Sequence, residues 1–145
     1  MAAFDEHLAA FRTRLDKEIA RIVDADTAAV GGLTKLGAAF EDFLRVSYRE
    51  AAAQQRPPLA TTPTPPPRGP GEWLRALGAL KSTEGLPPLL KGIVRDASQG
   101  KRLGRLARLR NIVAHEGQIP APAETRTFLI QFRDWLTEAG ATLKK

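Results

Sequence analysis

At 145 residues, 26% charged and 43% hydrophobic, the chain is long enough to bury one core and is globular rather than disordered in composition. The absence of cysteine excludes disulfides, thiolate metal sites and cysteine nucleophiles. No run approaches the roughly 18 apolar residues of a membrane helix, and Asp5 and Glu6 stand where a signal peptide carries bases, so a soluble cytoplasmic protein with no membrane partner is expected.

In chain order, Phe4, Leu8, Phe11, Leu15, Ile19 and Ile22 recur at three- and four-residue steps, the apolar stripe of a helix. His7 lies on the charged side of that helix and is expected to be solvated. Asp24 to Thr27 offers one break, although its acids could equally continue the helix, and Gly31-Gly32 offers a stronger one. A second helix then runs from about Leu33 to Gln55, burying Leu33, Leu36, Phe40, Phe43 and Leu44. Two helices of this length joined by a short turn predict an antiparallel pair.

Seven of the 11 prolines fall between Arg56 and Gly71. Proline fixes φ and removes the backbone donor, so residues 57–71 read as an exposed, semi-extended connector inside one domain spanning 1–145. A polyproline ligand for an aromatic groove is the less specific reading. A short helix is expected over Glu72 to Lys81 with Trp73, Leu74, Leu77 and Leu80, and another over Leu86 to Ala97, opened by Pro87-Pro88. The next begins at Lys101, carries Leu103, Leu106, Leu109, Ile112 and Val113, and stops at Gly117 and Pro120. The last spans Ala123 to Ala141, burying Phe128, Leu129, Phe132, Trp135 and Leu136. With no strand signal, the fold class is all-α, a bundle of five to six helices.

The 22 basic against 16 acidic residues give a net charge of +6, and its distribution says more than its size. From Lys91 to Arg110 there are seven bases and one acid, Asp96. That run ends in Arg110-Asn111-Ile112-Val113-Ala114-His115. Asn111 and His115, four apart, share a helical face. Arg110 and His115, five apart, are separated by roughly 140° around a regular helix. They meet only if the helix unwinds before Gly117 or if two copies of it pack together.

These residue types suit RNA cleavage by attack of a 2′-hydroxyl on the adjacent phosphate. Histidine moves a proton near neutral pH. Arginine grips a phosphate through paired donors and favours the charge of the transition state, while the amide orients either group. Lys101, Arg102, Arg105 and Arg108 then attract the RNA backbone. The two histidines lie far apart with no carboxylates spaced around them, so neither metal nor cofactor is expected. The bland alternative stands beside this: a histidine near a helix C-terminus is an ordinary dipole partner, and a basic run an ordinary solvated face.

The segment Leu109 to His115 resembles the Arg-polar-x-x-x-His signature of the HEPN superfamily (higher eukaryotes and prokaryotes nucleotide-binding domains), which is all-helical with its motif late in the chain. Leu36 to Arg45, LGAAFEDFLR, is similar to the acidic second helix of many members. The resemblance implies a HEPN-like bundle that dimerises to form a composite cleft, with metal-independent endoribonuclease activity. It gives Arg110 the phosphate, Asn111 its positioning and His115 general acid or base work. It further implies a toxin or phage-defence effector, with an antitoxin or a larger defence complex as partner. In the toxin group paired with a small nucleotidyltransferase, a tyrosine stands two residues after the histidine, and here that place is Gly117, a departure from the pattern. Some relatives are non-catalytic, so the alternative function is a helical interaction subunit of a defence or toxin–antitoxin assembly. A third reading is a plain nucleic-acid-binding protein, for which the basic helix matters and His115 does not.

Overall fold

The side chain of Phe11 is fully buried where three helices meet. Its ring lies 5.6 Å from that of Phe40 and 5.3 Å from that of Phe43, both stacked, and edge-on to Phe132 at 5.9 Å. The computed structural model describes residues 2–22 and 27–141, and among them are six α-helices and no strand. α1 (Ala2–Arg21) and α2 (Thr27–Ala53) form the N-terminal pair, α3 (Pro70–Gly78) and α4 (Pro88–Gln99) are short, and α5 (Arg102–Glu116) and α6 (Pro122–Ala141) follow. Among the described residues no helix is long and apolar enough to cross a membrane.

α1 and α2 run antiparallel. Phe4 meets Phe43, Phe11 meets Phe40, and Glu18 meets Gly32, so numbers rising along one helix fall along the other. The apolar stripe of α1 is buried except for Leu8, which is half-buried, and all five apolar residues expected inside α2 are buried.

The break expected at Gly31-Gly32 does not occur: α2 begins at Thr27 and continues through both glycines. Glycine inside a helix costs about 1 kcal/mol relative to alanine, and packing explains its presence. Glu18 is buried, with Arg14 at 3.1 Å and Arg21 at 3.7 Å, and its carboxylate lies where a Cβ on residue 32 would be. A buried carboxylate is tolerated only with cations beside it, and Gly32 leaves the room. The other break, expected at Asp24 to Thr27, falls outside the described residues except for Thr27.

Beyond α2 the chain is non-helical as far as Gly69, in keeping with its prolines, but Pro70 and Gly71 belong to the first turn of α3. Pro70 occupies a position whose missing N–H costs nothing. The buried Gln55 side chain donates to Ser82 O at 2.8 Å and accepts from Ser82 N at 3.3 Å, which ties the start of the connector to the loop after α3. Buried residues from α1 to α6 join one hydrophobic cluster, so the connector does not separate two cores.

α5 lies on α2, α3 and α4, whereas α6 lies on α1 and α4. A polar seam fixes α6 against α1: Arg12 donates to Leu136 O, Arg126 to Ile19 O at 3.2 Å, and Arg133 pairs with Asp16 at 3.3 Å. This arrangement leaves α5 with one face to solvent and a groove beside α6.

Candidate nucleic-acid interface

The N-terminus of α5 is built by Asp96. Lys101 precedes the helix and makes no side-chain cap. Instead the buried Asp96 carboxylate, at the end of α4, accepts from Leu103 N at 2.8 Å and pairs with Arg102 at 3.5 Å. One acid thus satisfies a free helix donor and faces the positive end of the dipole. Gly100, with φ of 65°, turns the chain between the helices, while Lys101 N returns to Asp96 O and Gly100 N to Ala97 O. At the other end α5 stays helical to Glu116, where Gly117, again left-handed, donates to Val113 O at 2.9 Å. The unwinding that would bring Arg110 and His115 together is therefore absent.

Leu103, Leu106, Leu109 and Val113 are buried, as their spacing predicts, and so is Ala107, but Ile112 is 37% exposed. It lies beside Asn111 and His115 on the solvent side of the helix, and both of those are exposed. Arg110 lies towards α2. Its stem passes over Gly37, where a Cβ would stand 2.6 Å from Arg110 Cγ, in a seam shared with Leu33 and Leu36. Its head turns back, and Nη1 donates to Asn111 Oδ1 at 3.1 Å. The guanidinium is thus carried from the α2 side towards the face that Asn111 shares with His115. No hydrogen bond joins Arg110 or Asn111 to His115 among the described residues.

No family profile, no characterised protein and no solved structure matches this chain.

The basic residues expected to steer RNA divide into two kinds. Lys101, just before α5, and Arg108 are exposed at the border of the groove beside α6, with no ring contact among the described residues. Arg102 and Arg105 reach across to α6: the Arg105 guanidinium carbon lies 4.4 Å from the centre of the Phe128 ring, and that of Arg102 lies 5.3 Å from the centre of Trp135. Arg105 and Phe128 line three adjoining clefts of about 390, 340 and 350 Å³ between the helices. The last extends past Arg108 to Ile112, one turn short of His115.

Spacing alone could not reveal Phe128, Trp135 or Gly37 as parts of this surface. The two aromatics fall in the apolar stripe of α6, and Gly37 is one more small residue in α2. Asp96 did carry a signal, as the single acid within the basic run.

Proposed function

We propose that the chain is a metal-independent endoribonuclease of HEPN type that works as a dimer, serving as a toxin or phage-defence effector in the cytoplasm. The observation that carries the reading is the Arg110–Asn111 hydrogen bond, which turns a pinned cation towards the face bearing His115. The resemblance of Leu109 to His115 to the family signature and the basic surface of α5 support it.

The chemistry asks each residue for what its side chain does best. The 2′-oxygen attacks the adjacent phosphorus, its proton passes to an imidazole, and the bond to the 5′-oxygen breaks as that oxygen is protonated. The products are a 2′,3′-cyclic phosphate and a 5′-hydroxyl. His115 is the proton acceptor or donor, and Arg110 stabilises the charge gathering on the phosphate oxygens. Asn111 holds the guanidinium in position.

A regular α5 keeps Arg110 and His115 of one copy apart, so the dimer is part of the proposal: Arg110 of one protomer works with His115 of the other. The exposed Ile112, next to both residues that must approach the partner, provides an apolar contact for a second copy of the helix.

Purified protein incubated with cellular RNA in EDTA is expected to yield fragments ending in cyclic phosphate. His115→Ala should lower cleavage by about 10²- to 10⁴-fold while the dimer persists. Cleavage at the wild-type rate by that variant would end the assignment.

The second reading is a non-catalytic interaction subunit of a defence or toxin–antitoxin assembly. One observation favours it: within one chain the imidazole and the guanidinium do not meet. It predicts partner binding without RNA turnover and a silent His115→Ala.

A further inference from the structure

Arg105 is exposed, yet it forms no ion pair among the described residues. Arg102, one turn earlier, has Asp96. What Arg105 has is an aromatic ring beneath it, 4.4 Å away, and a cleft on either side. A lysine in its place would supply the same charge. Only a planar, weakly hydrated cation can cover a ring with one face and offer the other to a second flat group. The cleft also holds the exposed amide of Gln131, a donor and acceptor able to meet the edge of a base. Lys101 and Arg108 border the same cleft, and neither has a carboxylate partner among the described residues.

We propose that Arg105, seated over Phe128, is a stacking platform for one unpaired nucleobase, with Lys101 and Arg108 taking the flanking phosphates. The subsite rests on the reading of α5 as the RNA-facing helix and deepens it. Ten residues at 1.5 Å each separate Arg105 from His115, about 15 Å along the helix. The platform therefore grips the strand away from the bond to be cut and sets which nucleotide reaches the motif. A duplex keeps its bases stacked on each other and has none to offer, so the groove selects single strands, loops and bulges. Phe128 is a positioning residue, since it is buried and reaches the base only through Arg105.

The test measures binding rather than cleavage, so it stands whether or not the chain cuts RNA. A fluorescent 2′-O-methyl oligouridylate has no 2′-hydroxyl to attack, and an abasic strand of equal length carries the same phosphates. Wild-type protein is expected to bind the first about tenfold more tightly than the second, the worth of one stacked base. Arg105→Lys keeps the charge and should erase that preference. Arg95→Gln, a basic residue of α4 outside the groove, should leave it intact. Equal affinity of the wild type for both strands overturns the platform, as does an Arg105→Lys protein that keeps the preference. Polyglutamate binding as tightly as the uridylate also overturns it, and marks the groove as a dock for an acidic protein segment.

Discussion

Arg110 has a stem and a head that answer to different neighbours. The stem lies on Gly37 of α2, while the head is held by Asn111 on its own helix. Gly37→Ala separates the two roles. Alanine improves helix propensity by about 1 kcal/mol, but its Cβ would stand 2.6 Å from Arg110 Cγ, near the root of that side chain, so the arginine must leave its rotamer and the melting temperature should hold or fall slightly. The displaced Cγ, however, carries the guanidinium off its position, and a misplacement near 1 Å costs about 10²-fold in rate. The check is thermal melting and RNA cleavage on the same sample. Lost stability with full activity would show that Gly37 serves only packing. None of this was legible in the sequence, because the spacing of Arg110, Asn111 and His115 names the residues and says nothing of the helix beneath the arginine. Ile112 reads as core for a related reason: it fits the three- and four-residue step of its neighbours but falls at the margin of the buried arc.

At the scale of the element, α5 owes its start to Asp96 and its end to Gly117. Removing an N-terminal cap costs about 1–2 kcal/mol. Asp96→Ala is therefore expected to destabilise the protein by that amount in urea unfolding. Asp96→Asn, which keeps an acceptor for Leu103 N–H but loses the charge facing Arg102, should lose less. Identical losses would mean that the hydrogen bond contributes nothing beyond the charge. The helices themselves were largely readable from apolar periodicity, and the proline segment from backbone chemistry. Gly31-Gly32 was not. Glycine in a sequence marks either a break or a close approach, and only Glu18, on another helix, decides between them. Phe128 and Trp135 show the same limit, since a core stripe and a seat for arginines read alike until α5 lies alongside.

At the scale of the molecule, the six helices share one core and leave α5 partly bare, with cations along a groove and a histidine at its far end. The all-helical class followed from composition and periodicity. The pairing of two chains did not, because it depends on a surface rather than on a pattern. The proposed composite site makes a demand that no single-chain site shares. Arg110→Ala and His115→Ala proteins should each be inactive alone. When unfolded together and refolded, half of the dimers should carry one variant of each kind, and one of their two sites then has both residues intact. About a quarter of wild-type cleavage should return on mixing, if the arginine of one copy works with the histidine of the other. A mixture that forms such dimers yet stays as inactive as its components would contradict the account.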